Sequence, residues 1–291
     1  MKQPTMGVMS IMAHQDDFEF NAGGLFALLR RRYGRRLRLK ILTTTRGASG
    51  HHELTPDATF IRRDREARRS AALIGAEYEC LTCLDGQHVP GQFFLDRNAL
   101  GGLWNAVRAF EPDFIFCPPV IEDPLAGIHI DHYNTACAVR MAAYQLSVPH
   151  AYPTLNGPAK PLALNPLIVN VDDAYARQSG YDYAVDISSV YAVKQRMALC
   201  HASQIFEWLP WNAGQPAPTR AEYLKKFRQR HTLINQRYGL QDDVPREYFR
   251  VTHWGRKIFD DLKLVFPPAR ARARPPGKSV AGTTAGRRTA R

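Results

Sequence analysis

Short apolar runs alternate with helical patterns along the first half of the chain, and this alternation restricts the fold more than any other feature. Four runs have the length and composition of buried strands, at 7–12, 37–43, 79–84 and 113–117. Helical patterns separate them, after Gly23–Gly24, from Asp57 to Ile74 and from Leu95 to Phe110. Strand–helix repeats at this spacing favour parallel βαβ units. We therefore predict an α/β fold with a doubly wound, mostly parallel sheet and helices on both faces.

The second half of the chain has weaker patterns. Residues 167–171 have a strand pattern, Asp186–Ser189 opens a helical pattern that continues to Gln204, and residues 219–238 form a charged amphipathic pattern. From about Pro267 the chain is rich in Pro, Arg, Ala and Gly, with little to bury, which predicts disorder. We predict a single domain over residues 1–266, in which the part from about residue 150 completes the substrate cleft, and a basic tail over residues 267–291.

The net charge of the 291-residue chain is +12, but its distribution argues against nucleic acid as the main partner. Seven cations and no acid lie in the basic tail, which leaves +5 for the remaining residues. No zinc finger, aromatic RNA-binding signature or recognition-helix pattern accompanies the charge. Nucleic-acid binding by a basic, Rossmann-like protein therefore stays the less favoured alternative, and the sequence leaves the oligomeric state open.

Other features indicate a cytoplasmic protein without a membrane span. No apolar stretch reaches the ~20 residues that a transmembrane helix needs, and no signal peptide is recognisable. The five cysteines are an odd set in apolar surroundings, as in reduced proteins. Cys80 and Cys83 have a redox-type spacing, but they lie in a strand-like run with no second pair, so we interpret them as core residues.

The first motif with chemical potential is His14-Gln15-Asp16-Asp17, directly after the first predicted strand. Ligands of open α/β sheets bind at the carboxyl ends of the strands. The two adjacent carboxylates must point in different directions, so one site could give them two roles. Alone, the motif could equally be a functional site or a helix cap with a surface acid beside it.

The second motif is His129-Ile130-Asp131-His132, which follows the fourth predicted strand and precedes a helical pattern from Ala136 to Leu146. Two histidines three residues apart share one face of a helix, a spacing that suits a metal ion. We expect this motif at the same edge of the sheet as His14 and Asp17.

Together the two motifs resemble the PIG-L/LmbE family of zinc-dependent N-deacetylases, whose motifs are Ala-His-Pro-Asp-Asp and His-x-Asp-His. Looser matches extend the resemblance over most of the chain; they are Arg63-x-x-Glu66, Leu84-Asp85-Gly86, Asp186-Ile187-Ser188 before Lys194, and His201-Ala202-Ser203-Gln204. Two positions depart from the family pattern. Gln15 replaces the proline, and Phe18 separates the acidic pair from Glu19.

The resemblance implies a Rossmann-like, LmbE-like deacetylase domain with a zinc ion bound by His14, Asp17 and His132. Two imidazoles and a carboxylate leave an open coordination position, as a catalytic zinc requires, and Fe²⁺ would accept the same ligands. The resemblance gives Asp16 the role of general base and then general acid, and places His129 opposite the oxyanion.

Three further residues receive weaker assignments from the same resemblance. Arg63 and Asp85 are candidates for binding substrate hydroxyls, and Asp131 is a candidate for orienting a histidine. Arg63 could equally form an ion pair with a helix neighbour. His51 and His52 lie in a polar loop and receive no role, and the aromatic segment Trp208–Asn212 could be either core or substrate wall.

The sequence therefore predicts a metal-dependent hydrolase that removes an N-acetyl or other N-acyl group from a small-molecule amino-sugar or glycoconjugate. An amidase acting on a thiol conjugate or a specialised metabolite is the alternative within the same chemistry.

Overall fold

Seven strands form one continuous mixed sheet in the computed structural model, which describes residues 6–123, 125–155, 162, 164–176, 178, 180–255 and 261–266. The strands are β1 (Met6–Met12), β2 (Leu37–Thr43), β3 (Glu77–Cys80), β4 (Phe114–Cys117), β5 (Leu167–Val171), β6 (Tyr183–Asp186) and β7 (Arg246–Gly255). Their order is β3-β2-β1-β4-β5-β7-β6. The first five are parallel, whereas β7 is antiparallel to both β5 and β6.

Helices cover both faces of this sheet. They are α1 (Asp17–Asn21), α2 (Gly23–Tyr33), α3 (Pro56–Ala72), α4 (Arg97–Phe110), α5 (Ile130–Ala143), α6 (Tyr191–Ala198), α7 (Leu209–Asn212), α8 (Arg220–Arg237) and α9 (Leu262–Val265). Successive strand residues point to opposite faces, so Val8 lies in one core cluster with residues of α2, α3, α6 and α8, and Met9 lies in the other with residues of α4 and α5. The predicted Rossmann-like, mostly parallel fold with helices on both faces is confirmed.

Several predicted elements differ from the observed ones. The third strand is Glu77–Cys80 rather than 79–84, because the backbone then turns and Cys83 N–H donates to Gln87 O. The fifth helix begins at Ile130 rather than Ala136, because its first turn faces a polar cleft and lacks the apolar periodicity of the rest.

The second half differs more from the prediction. Asp186 ends strand β6 instead of opening a helix, and the strand pattern of β7 was not recognised. The aromatic segment Trp208–Asn212 is helical, since a π-helical turn over Gln204–Trp208 leads directly into α7. The basic tail, residues 267–291, and the predicted domain boundary before it lie outside the described residues.

A buried ion pair of the second half of the chain contacts the N-terminus of α2 in the first half. Lys194 Nζ of α6 lies 2.6 Å from Glu247 Oε1 of β7, and both side chains are completely buried. The Glu247 carboxylate also accepts the N–H groups of Gly24 and Leu25, each at 2.7 Å, at the N-terminus of α2. A carboxylate there satisfies free N–H groups and complements the helix dipole. A Cβ on Gly24 would lie 2.6 Å from Ile187 and 2.9 Å from Glu247, so this contact requires glycine.

Two further observations concern the remaining predictions. Cys80 and Cys83 are buried free thiols, and burial raises their pKa values to about 12 and about 11, respectively. Both therefore stay protonated near neutral pH, as expected of core residues. Among the helices of the described residues, none is long and apolar enough to cross a membrane.

Candidate active site

A cleft of about 300 Å³ lies at the carboxyl ends of β1 and β2, and it contains both sequence motifs. Loops after these strands, the start of α5 and the π-helical turn form its walls. The lining residues used below are His14, Asp16, Asp17, Arg63, His129, Asp131, His132, Tyr175 and Trp208. The two motifs, separated by more than 110 residues in sequence, therefore meet at one edge of the sheet, as predicted.

Asp17 lies between two histidines. As the first residue of α1, it accepts the His14 backbone N–H at 2.8 Å through Oδ2. The same oxygen lies 3.5 Å from His14 Nδ1 and 3.5 Å from His132 Nε2. One carboxylate oxygen and two ring nitrogens thus converge on one point.

This donor set fits a divalent cation. A tetrahedral zinc ion with bonds of ~2.0–2.1 Å separates its ligand atoms by about 3.4 Å, close to the observed 3.5 Å. Ring nitrogens of His14, His129 and His132 also lie within 4.8 Å of one another, so His129 is a neighbour of the same point. The Asp17 oxygen, at 3.5 Å from a ring nitrogen of His14 and of His132, has the spacing of a zinc ligand.

Both candidate ligand histidines contact a second carboxylate through their other ring nitrogen. His14 Nε2 lies 3.1 Å from Asp131 Oδ2, and His132 Nδ1 lies 2.6 Å from Asp173 Oδ2. Histidines that bind metals typically donate their free N–H in this way, which fixes the tautomer and the orientation of the ring. Asp131 in turn accepts the Phe93 backbone N–H at 2.5 Å, which holds that carboxylate in place.

The carboxylates control the protonation of this cluster. Burial lowers the pKa of His14, but hydrogen bonds to Asp131 and Asp17 outweigh it and raise that pKa to about 9. Burial likewise lowers the pKa of His132, while Asp17 and Asp173 raise it to a net value above 6.5. Burial raises the pKa of Asp17, and the two imidazoles more than reverse this, so its pKa falls well below the usual range. The local potential is therefore negative and favours a cation.

Asp16 diverges from Asp17 and pairs with Arg63 of α3. Arg63 Nη2 donates to Asp16 Oδ1 at 2.7 Å, and Arg63 Nη1 donates to Gly47 O at 2.9 Å. The arginine is 97 % buried and therefore rigid. Gly47 has φ +57°, and a Cβ there would lie 2.5 Å from the guanidinium, so glycine is required for this approach.

His129 is the N-cap residue of α5 and lies beside the candidate metal ligands. Its ring centroid is 5.1 Å from that of His14 and 4.8 Å from that of His132. Burial and these two imidazoles lower its pKa, so His129 is neutral at pH 7. Tyr175 packs on the other side, with its ring 4.9 Å from His129 and 4.6 Å from His132.

The structure separates the two residues proposed for substrate hydroxyls. Arg63 lies in the cleft, but its guanidinium is paired with Asp16. Asp85 is exposed and does not line the cleft; its carboxylate accepts Gln87 N–H at 2.9 Å and Asn98 Nδ2–H at 2.9 Å. Its oxygens therefore stabilise a turn, because strand β3 ends at Cys80, four residues earlier than predicted.

Sequence reasoning missed Tyr175 as a cleft residue and Asp173 as the acceptor behind His132, and it left Trp208, which lines the cleft, open between core and substrate wall. Asp173 follows strand β5, so the rule that ligands bind at the carboxyl ends of strands applies to it as it does to Asp16 and Asp17. No histidine adjoins Asp173 in the sequence, so no motif marks it. Gln15, the departure from the family motif, is buried and donates from Nε2 to Arg46 O at 2.8 Å, which ties the loop after β1 to the loop after β2.

Comparisons with known proteins agree with this site. Residues 9–143, which contain both motifs, match the family model described as PIG-L, GlcNAc-PI de-N-acetylase. No curated protein matches the chain in sequence. N,N'-diacetylchitobiose deacetylase from Pyrococcus horikoshii aligns with a TM-score of 0.64 and 20% identity, over 84% of this chain and 83% of that one.

Two further solved structures are similar. The 4-carboxy-2-hydroxymuconate hydratase of Pseudomonas putida aligns with a TM-score of 0.59 and 19% identity, over 86% of this chain and 97% of that one. A zinc-inhibited form of teicoplanin deacetylase aligns with a TM-score of 0.50 and 14% identity, over 85% and 99%. At these identities the similarity establishes a shared fold, and that fold supports more than one reaction.

Proposed function

We propose, from the premise that the chain belongs to the PIG-L family through residues 9–143, that it is a zinc-dependent hydrolase which removes an N-acetyl or other N-acyl group from an amino-sugar or glycoconjugate. The observation that carries the proposal is that two adjacent carboxylates face different partners. Asp17 faces two imidazoles at 3.5 Å, and Asp16 faces an arginine and the open cleft.

In this proposal His14, Asp17 and His132 hold the metal. When bound there, a divalent cation supplies a Lewis acid for the amide carbonyl and lowers the pKa of water. Asp131 and Asp173 orient the two histidines, each through a hydrogen bond to the ring nitrogen that faces away from Asp17.

Asp16 takes the proton from the attacking water and later delivers it to the departing amine. Arg63 holds one oxygen of the Asp16 carboxylate at 2.7 Å and leaves the second one for this transfer. Neutral His129 donates a hydrogen bond to the carbonyl oxygen as negative charge develops on it. General acid–base catalysis by a positioned carboxylate contributes ~10²–10⁴-fold to the rate.

The decisive experiment replaces the proton carrier without changing the metal ligands. Asp16→Asn keeps the shape of the side chain and removes the base, so amine release from acetylated amino-sugars should fall by about 10²–10⁴-fold with metal content unchanged. A panel that also contains larger glycoconjugates and a thiol conjugate separates the leading substrate class from the amidase alternative. Full activity of Asp16→Asn would exclude this mechanism.

Metal content tests the cofactor itself. We propose zinc, since two histidines and one carboxylate with an open position form a common catalytic zinc site, and Fe²⁺ accepts the same donors. A chelator should abolish amine release. Zinc or Fe²⁺, the latter under anaerobic conditions, is then added back, and the native metal should restore amine release. A protein that is unresponsive to both ions would argue against a metal-dependent reaction.

A further inference from the structure

A second cavity, which we call the side chamber, adjoins the candidate active site. Its volume is about 270 Å³. Five residues line both the side chamber and the cleft, namely Asp16, Asp17, His132, Tyr175 and Leu209. A molecule held at the candidate metal position can therefore extend into the cleft and into the side chamber.

Arg230 of α8 brings a guanidinium to the side chamber. Its central carbon lies 5.7 Å from the centroid of the Phe20 ring, and its Nη2 donates to Asn21 Oδ1 at 3.4 Å. Its Nε is buried, and no atom of the described residues accepts a hydrogen bond from it. A guanidinium has five N–H donors, so Arg230 retains donors for a ligand.

The carboxylates around Arg230 all have other partners. The pairs are Asp16 with Arg63, Asp17 with His14 and His132, Asp173 with His132, and Asp172 with Arg237. None of the ion pairs in the described part of the chain includes Arg230, and burial lowers its pKa by more than Asp172 and Asp173 raise it. A buried cation without an ion-pair partner is costly, and a bound anion offsets that cost.

The proposed reaction determines which part of a substrate enters the side chamber. The carbonyl carbon that is attacked carries an oxygen, the amine nitrogen and the rest of the acyl group. The oxygen faces His129, which lines the cleft but not the side chamber. The side chamber is therefore free for one of the other two substituents.

The lining of the two cavities assigns these substituents. The cleft carries polar side chains such as Ser49, Gln92 and Gln204, which suit the hydroxyls of an amino-sugar. The side chamber has the apolar surfaces of Phe20 and Leu209, which suit the methylene groups of an acyl chain. An acetyl group places only one methyl in this space of about 270 Å³, so a longer acyl chain fills it better.

We propose that Arg230 selects N-acyl groups that end in a carboxylate, such as malonyl, succinyl or glutaryl groups, with the methylene chain against Phe20 and the terminal carboxylate paired with the guanidinium. This inference rests on the proposed function, and it names the class of acyl group that the same site removes. Water adds across the amide C–N bond, and the products are the free amine and a dicarboxylate.

The test uses acid and amide pairs of substrates with the metal-loaded protein. Glucosamine is acylated with a malonyl, succinyl or glutaryl group, and each acid is compared with its terminal amide, which has the same length and no charge. For at least one length, kcat/KM for the acid should exceed that for the amide about tenfold or more, because a buried charge-assisted hydrogen bond is stronger than a neutral one.

Arg230→Gln removes the charge, so the acid-to-amide ratio of kcat/KM should fall to about 1. Both substrates of a pair meet the same enzyme, so a loss of folded protein or of metal cancels in this ratio. Arg228→Gln is the matched control, because Arg228 lies on the same helix, pairs with Asp243 and does not line the side chamber. Its ratio should equal that of the unaltered protein.

Two results would overturn the inference. One is a ratio near 1 at all three lengths in the unaltered protein, a measurement that needs no variant. The other is a ratio that stays high in Arg230→Gln, which would place the recognition of the carboxylate elsewhere.

A binding measurement separates this inference from the proposed function. If the unaltered protein releases amine from none of these compounds or from N-acetylglucosamine, the proposed function fails, and the compounds become intact ligands for calorimetric titration. A Kd about tenfold lower for an acid than for its amide in the unaltered protein, and equal values in Arg230→Gln, support the role of Arg230. Equal values in the unaltered protein overturn it.

Discussion

The two halves of this protein contribute to its cleft in different ways. Residues 6–143 supply the side chains that converge on the candidate metal position and the proposed proton carrier, and all of them come from two short motifs. Residues 144–266 supply Asp173, which lies behind His132, and the cleft-lining rings of Tyr175 and Trp208.

This difference separates reacting groups from the groups that support them. Metal ligands and a base must lie within a few ångströms of one another, and a tight turn after a strand delivers them as sequence neighbours. Groups that orient a ligand or close a cleft can reach it from any strand or helix that packs nearby. The first half therefore carries the two distinct motifs, and the second half carries only looser matches.

The largest expected effect comes from removing the convergent carboxylate. Asp17→Ala should abolish tight metal binding and lower amine release by about 10³-fold, because Asp17 Oδ2 faces both ring nitrogens at 3.5 Å. His129→Ala is the control; it should lose activity but retain one metal ion per chain in elemental analysis. The reverse pattern would show that the three histidines, rather than Asp17, hold the metal.

The next prediction concerns the junction of the two halves. Glu247→Gln leaves the Lys194 ammonium buried without a counter-charge, which should lower the free energy of unfolding by ~3–5 kcal/mol in urea titrations. The double variant Glu247→Gln with Lys194→Met should recover part of this loss. Asp243→Asn breaks an exposed pair with Arg228 and should change stability by less than ~1 kcal/mol.

A result close to zero for Glu247→Gln would mean that the second half is attached mainly by apolar contacts. In that case the buried pair does not contribute to the attachment of the two halves. The halves then differ only in the chemical groups that they bring to the cleft.

Elements with local signals could be predicted from the sequence. Strands β2 and β5 were predicted with their observed bounds, because β5 is a short apolar run and β2 begins with alternating apolar and charged residues. The convergence of His14, Asp17 and His132 followed from the rule that strand ends meet at one edge of a parallel sheet. The resemblance to the family motifs then assigned these three residues as expected metal ligands.

Elements defined by distant partners could not. Strand β6 has four residues and only Val185 fully buried, so its pattern is too short to recognise. Lys194 and Glu247 are 53 residues apart, and no spacing rule connects them. The turn that withdraws Asp85 from the cleft depends on Asn98, which no local pattern links to it.

The third prediction compares one supporting carboxylate from each half. Asp131→Asn and Asp173→Asn should each weaken metal affinity by about 10–100-fold, since each removes the charged acceptor behind a ligand histidine. Competition with a chelator at constant pH measures the affinity. Asp85→Asn is the matched control and should leave it unchanged, because that carboxylate lies outside the cleft.

Unequal effects would sharpen the comparison between the halves. A loss confined to Asp131→Asn would restrict the metal site to the first half. Similar losses in both variants would show that strand β5 and the loop after it are part of the metal site, although their sequence carries no motif.

The smallest predicted effect arises from the opposite environments of histidines in the two halves. His14 faces carboxylates, whereas His231 of α8 is buried and lies near Lys194, Arg230 and Arg228, so burial and then these cations lower its pKa from 6.5 to about 3. The unfolded chain therefore binds a proton at His231 below pH 6.5 that the folded chain rejects. Stability from this residue is complete above pH 6.5 and is lost as the pH falls toward 3.

Between pH 7 and pH 5.5 this difference in proton binding corresponds to about 1 kcal/mol of unfolding free energy. His231 donates from Nδ1 to Arg246 O at 2.9 Å, and a glutamine amide can make the same hydrogen bond without titrating. Between pH 7 and pH 5.5 the free energy of unfolding of His231→Gln should therefore fall by about 1 kcal/mol less than that of the unaltered protein. Urea unfolding at both pH values measures this difference. An equal loss in both proteins would mean that His231 binds its proton in the folded state as readily as in the unfolded chain. The buried position of His231 beside β7 would then tolerate a positive charge.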